Sequence, residues 1–197
     1  MRMALSLLSV GAIAISALAS VGCSDTVPPP AQGAVSYRVW RGTGQSCVVQ
    51  NHSSNAPNTG RGQNVTSTGV GSVAVDGENG AKVSCRVSGD GTTFSVSGEL
   101  TLGDVSFSVS TQLSPGDKEA DGKVRLQDNL TANVYAQPAT LLDPPTPPCK
   151  IDISQGNFDV GTGWVWGHFK CDSFVDERSP DAFCSAEGTF LFENCDE

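Results

Sequence analysis

Short runs of alternating apolar and polar residues, broken repeatedly by Gly, Asp and Asn, constrain this 197-residue chain more than any other feature. Successive side chains of a strand point to opposite faces, so a period of two marks a strand with one buried face. Val35, Tyr37 and Val39 alternate with Ser36, Arg38 and Trp40. Val73 and Val75 lead through Asp76-Gly77-Glu78-Asn79-Gly80 to Val83, Cys85 and Val87. Phe94, Val96 and Leu100 follow the turn Gly89-Asp90-Gly91, and Val105, Phe107 and Val109 follow Gly103-Asp104. Val124 and Leu126 precede another run from Leu130 to Tyr135. Runs of this kind read as antiparallel strands and hairpins. No window sustains a 3.6-residue apolar repeat, so helix outside the N-terminal region should be scarce.

The fold class expected is all-β, an antiparallel β-sandwich with hairpin connections. The polar stretch Asn51 to Ser67 reads as one long loop. Pro138, Pro144, Pro145, Pro147 and Pro148 exclude residues 138–148 from a sheet interior and mark a semi-rigid crossover. Further strands are expected near Lys150–Ser154, Trp164–Cys171 and Gly188–Asn194. We read residues 33–197 as one domain spanning that crossover, the alternative being two units, 33–137 and 149–197. The C-terminal part is too small to be stable without disulfides or a sheet beneath it.

The N-terminus has the parts of an export signal: a basic start at Met1-Arg2-Met3, an apolar run from Ala4 to Val21, then small residues before a cysteine. Ala19-Ser20-Val21-Gly22-Cys23 resembles the lipobox of bacterial lipoproteins, with Ser20 where that motif most often has Leu. The resemblance implies cleavage after Gly22, diacylglycerol on the Cys23 sulfur and acylation of the new amine. Residues 1–22 are then a signal peptide and 23–32 a Pro-rich tether. An uncleaved membrane helix is opposed by the Ser and Gly content of the run. An ordinary signal peptide with a structural Cys23 is opposed by parity, since removing Cys23 from seven cysteines leaves an even set. Ser24, rather than Asp, follows the cysteine, which by the same resemblance implies the outer rather than the inner membrane.

Export favours oxidation of Cys47, Cys85, Cys149, Cys171, Cys184 and Cys195 into three disulfides. Sequence does not choose among the roughly 15 connectivities open to six cysteines; Cys47–Cys85, with the four C-terminal cysteines pairing among themselves, is the favoured set. With no CxxC or CxxH spacing, and only His52 and His168 as imidazoles, a structural zinc site is not expected. No cofactor motif is present. The closing pattern from Cys171 through Cys184 to Gly188-Thr189-Phe190-Leu191-Phe192-Glu193-Asn194-Cys195 resembles a module recurring in bacterial surface lipoproteins, and implies no catalytic residue.

Of 12 Lys and Arg only Arg2 lies in the signal, leaving 11 against 21 acids and a formal balance of −10. Phosphate polymers are repelled by such a chain, so nucleic acid is not an expected partner. Asp117, Glu119, Asp121 and Asp128 approximate the spacing of a calcium loop, although strands flank it and Asp replaces the closing Glu. An acidic hairpin loop after Ser114-Pro115-Gly116 explains the same residues.

Trp164-Val165-Trp166-Gly167-His168-Phe169-Lys170-Cys171 is the most distinctive stretch. As a strand it puts Trp164, Trp166, His168 and Lys170 on one face and Val165, Gly167, Phe169 and Cys171 on the core side. Two indoles beside an imidazole and a cation suit a sugar ring, a peptide or a partner protein. The competing reading buries both tryptophans under the Pro-rich crossover or another strand. Three functional expectations follow. The first is a lipid-anchored envelope or surface protein with a non-enzymatic binding or structural role, reaching a membrane through Cys23 and meeting a glycan, peptide or envelope protein. The second is a carbohydrate- or peptide-binding module using Trp164 and Trp166. The third is a hydrolase centred on His168, for which no Gly-x-Ser-x-Gly elbow is present.

Overall fold

In a computed structural model the described residues are 27–40, 66, 68–128, 133–136, 149–176 and 179–197. The expected signal peptide (1–22), Cys23, Cys47, most of the stretch 51–67 and the expected crossover 138–148 lie outside them. Eleven strands are formed: β1 (Gln32–Trp40), β2 (Ala74–Val75), β3 (Lys82–Gly89), β4 (Phe94–Leu102), β5 (Val105–Leu113), β6 (Ala120–Asp128), β7 (Asn133–Ala136), β8 (Cys149–Asp152), β9 (Asp159–Gly161), β10 (Trp164–Asp176) and β11 (Ser179–Glu193). There is no helix among the described residues. The fold is all-β and antiparallel.

Alternation dictates the faces. In β4, Phe94, Val96, Leu100 and Leu102 are buried while Ser95, Ser97 and Glu99 are exposed. Between β4 and β5, Gly103 supplies a positive φ of 60° for a turn two residues long, closed by the pair Leu102↔Val105. Before β4, Asp90 Oδ1 accepts hydrogen bonds from Thr92 N, Thr92 Oγ1 and Thr93 N at 2.8, 2.7 and 3.0 Å. These donors hold the exposed carboxyl down at about 2.

All strands join one sheet in the order β2-β1-β11-β10-β7-β6-β5-β4-β3, with β8 pairing both β10 and β6 and β9 pairing β10. The last strand therefore sits in the middle, between the first and the tenth. Residues 149–193 complete a sheet begun by residues 32–136. The sheet nearly closes on itself, because β3 is tied to the chain that follows β11. Val87 N donates to Asp196 O, Asp196 N to Cys85 O and Gly163 N to Val87 O, at 2.9, 2.9 and 3.0 Å. These bonds, with Asp76 Oδ1 accepting from Val83 N at 2.8 Å, occupy an edge that would otherwise invite another strand.

The interior is one apolar cluster. Phe107 of β5 stands 5.5 Å from Phe169, 5.7 Å from Phe190 and 6.2 Å from Phe192, ring centre to ring centre, so β5 meets β10 and β11 across the core. Glycines give these rings room: Gly33 pairs with Phe192, Gly167 with Phe190 and Gly188 with Phe169. A Cβ on Gly188 would lie 2.3 Å from Ser36 O and 2.7 Å from Phe169 Cε1. A curled sheet brings large rings close to neighbouring backbone, and glycine opposite an aromatic relieves the crowding.

The cysteine pairing corrects the set favoured from the sequence. Cys85 joins Cys195, 110 residues away, rather than Cys47. Cys149 joins Cys171. The pair Lys150↔Lys170 sets Cys149 beside Cys171 on neighbouring strands, and closure of the sheet brings Cys195 to β3. Cys184 is also disulfide-bonded, and its partner lies outside the described residues.

Candidate functional site

β10 turns Val165, Phe169 and Cys171 into the core, while Trp164, Trp166 and His168 are half-buried on the outward face and Lys170 is exposed. The strands beside it extend that face. Asp152 of β8 and Thr189 of β11 flank His168 in register, and Ser36 of β1 lies beyond Thr189. One row across the sheet therefore reads acid, imidazole, hydroxyl, hydroxyl, with neighbouring strands about 4.8 Å apart.

Each member of the face has an identifiable environment. The Trp164 indole lies over Gly161 of β9, where a Cβ would come within 2.5 Å of Nε1. Trp166 meets Phe158 edge-on at 5.9 Å and packs on Ala34 and Leu191. Val70 and Val73 close over the same cluster. The Trp166 Nε1 is buried with no hydrogen-bond partner among the described residues. Trp166 is thus half-buried against Phe158, Ala34 and Leu191, whereas Trp164 rests on backbone.

Burial pushes the His168 imidazole below its ordinary value. Glu187 and Asp152 oppose that shift, while Lys170 and Arg38 add to it. For Asp152, burial pushes the carboxyl up, but its hydrogen bonds outweigh burial and the net shift is downward. Asp152 Oδ1 accepts from Ser154 N and Ser154 Oγ, both at 2.8 Å, and Oδ2 accepts from Gln155 Nε2 at 2.6 Å. These bonds aim the carboxylate at the turn after β8. Lys170 pairs with Asp172 at 3.3 Å, and Arg38 pairs with Glu187 and lies 4.8 Å above the Trp40 ring. Charge on this face is largely balanced at short range.

The four acids of the calcium-loop spacing do not converge. Asp117 Oδ2 accepts from Ser114 N at 2.6 Å, inside the turn before β6. Asp121 pairs with Lys150 at 2.5 Å, raising the Lys150 pKa, and Glu119 is exposed nearby. Asp128 ends β6, seven positions beyond Asp121 on an extended strand, roughly 23 Å away. Strand geometry separates what a helix–loop–helix would gather. Among the described residues no three His, Cys, Asp or Glu form a metal-binding group.

Two features of the face escape sequence reading. One is the small outer cluster of Ala34 and Leu191, although the unbroken apolar run Phe190-Leu191-Phe192 signals burial on both faces. The other is the seat of Trp164 on Gly161, which depends on a register the sequence does not display. No known protein family, curated protein or solved structure matches the chain.

Proposed function

We propose that the chain is a lipid-anchored binding protein of a bacterial envelope, held by acylated Cys23, which takes a saccharide on the outward face of β10. The observation that carries the binding reading is the Trp164 indole lying over Gly161 in the same outward row as His168 and Lys170. Aromatic rings with polar neighbours stack on the apolar face of a sugar while hydrogen-bonding its hydroxyls. The balanced ion pairs favour a neutral sugar over a charged one.

The lipobox-like run ending in Gly22-Cys23 supports the anchor. The described end of the tether fits it: residues 27–30 are exposed, and Pro30 O accepts a hydrogen bond from Asn194 Nδ2 at 3.1 Å. Residues 23–29 then reach at most roughly 25 Å from lipid to domain. Ser24 favours the outer membrane.

Titration of the mature protein with neutral oligosaccharides and soluble cell-wall fragments, followed by tryptophan fluorescence, tests the site. A saturable change lost in Trp164→Ala supports it, and an unchanged spectrum across the panel overturns it. Metabolic palmitate labelling tests the anchor separately. Labelling should disappear in Cys23→Ala, and label persisting in that variant removes Cys23 as the anchor.

A further inference from the structure

The outward face of β3 to β6, on the other wall of the sheet, carries charge of the opposite sign to the chain as a whole. Lys82, Arg86, Lys123 and Arg125 are all exposed there. Against them stand Glu99, Asp121, and Asp76 and Asp196 beside Arg86; Asp121 is paired with Lys150, so the excess of cations lies at Lys123 and Arg125. A chain whose mature part has a formal balance of −10 thus gathers four of its 11 cations on one wall. The cross-strand pairs Ser97↔Ser110, Ser110↔Lys123, Glu99↔Ser108 and Ser108↔Arg125 make a grid of hydroxyls between the cations. A shallow depression of about 260 Å³ opens within it, lined by Ser97, Glu99, Ser108, Ser110, Lys123 and Arg125.

We infer that this wall is a second binding surface and that its occupant is an acidic polysaccharide, a sugar chain bearing carboxylates. Charge complementarity sets the sign of the partner: the cations attract it locally while the rest of the chain keeps anions away. Serine hydroxyls donate and accept, which matches a polymer dense in hydroxyls. Lys123 and Arg125 are alternate residues of one strand, so their side chains leave β6 roughly 6.6 Å apart on one face. They can meet successive acidic groups of one polymer chain. Among the described residues the wall has no exposed aromatic to stack nucleobases, which single-stranded nucleic acid would use. Nor has it the apolar anchors that form the centre of a protein interface. The inference is independent of the Trp164 face, which lies on other strands.

The test is binding of the full mature protein to polygalacturonate, with fully methyl-esterified polygalacturonate and a single-stranded oligonucleotide as comparison polymers. Polygalacturonate should bind, and the neutral ester should bind at least tenfold more weakly. Affinity for polygalacturonate should fall severalfold as salt rises from about 0.05 M to about 0.2 M, because exposed charges are screened. Lys123→Ser with Arg125→Ser should weaken it at least tenfold, Arg86→Ser by less, and Trp164→Ala should leave it unchanged. All three sets of substitutions are at solvent-exposed or half-buried positions, and a thermal melt confirms that each variant is folded. The inference is overturned by no binding at low salt, by equal binding of ester and acid, by folded Lys123/Arg125 variants that bind normally, or by preference for the oligonucleotide.

Discussion

The ring of Phe192 on β11 occupies the space that Gly98 leaves open on β4. A Cβ at Gly98 would come within 2.5 Å of Phe192 Cε2. Two walls of the sheet approach each other there closely enough that one must contribute no side chain. Gly98→Ala should destabilise the fold by about 1–3 kcal/mol, the usual cost of overpacking a core. Shrinking the ring with Phe192→Leu in the same protein should recover part of that loss. Urea denaturation of the single and double variants measures the coupling, and strictly additive effects would show that the two residues do not share the space.

The disulfides make a second prediction. Non-reducing peptide mapping should recover Cys85 linked to Cys195 and Cys149 linked to Cys171. A lipidated Cys23 is unavailable for a bridge, so the proposed anchor requires the Cys184 peptide to carry Cys47. Recovery of Cys184 with Cys23 would refute the anchor and the bridge assignment together. Cys85→Ser with Cys195→Ser removes a long cross-link, and should cost roughly 2–4 kcal/mol. The same change should leave β3 the first strand to exchange its amide protons.

His168 predicts a pH dependence with a defined sign. Its folded value lies below the ordinary 6.5 because burial disfavours the imidazolium. Above 6.5 both folded and unfolded chains hold a neutral ring, and the stability is intact. As pH falls below 6.5, the unfolded chain takes up a proton that the folded one refuses, so stability declines until the folded value is passed. His168→Gln should flatten that part of the profile. Melting temperatures of both proteins between about pH 8 and about pH 5 decide this. Parallel curves would show that the imidazole does not contribute.

Gly161→Ala should affect recognition more than folding. The new Cβ meets the pyrrole edge of the Trp164 indole rather than backbone, so the half-buried ring can turn away from the sheet. The expected outcome is altered tryptophan emission and weakened saccharide binding with a melting temperature within a few degrees of the parent. A large loss of stability instead would identify the Gly161–Trp164 contact as structural.

Much of this architecture is visible in the sequence because one face of nearly every strand is buried and the other wet. The alternation through Phe94 to Leu102 and Trp164 to Cys171 assigns the correct face to each residue. What it conceals is which strands meet. Nothing local in Cys195 distinguishes a partner in β3 from one nearby, since that contact exists only after eleven strands have curled. The same limitation hides the placement of Asp117, Glu119, Asp121 and Asp128, whose spacing is compatible with convergence until β6 is seen to continue through Asp128. Trp166 illustrates a third kind of concealment. The cluster it packs on is shared with Val70 and Val73, about a hundred positions earlier, whose weak pattern gives no sign of where they lie.

The central place of β11 governs the order in which the molecule can be built. β1 comes first among the strands, yet it pairs along its whole length, from Gln32↔Glu193 to Trp40↔Ser185, with a strand about 150 residues further along. Gln32 and its partner Glu193 are 161 positions apart, so β1 lacks its main neighbour until β11 has been delivered. Such distant pairing also makes for slow folding once synthesis ends. Assembly therefore works as a completeness check: a chain truncated before β11 has neither a berth for β1 nor a seam against β3. Only a chain that includes β11 can bury Phe107 against Phe190 and Phe192, and shorter ones keep these rings on display to chaperones and proteases.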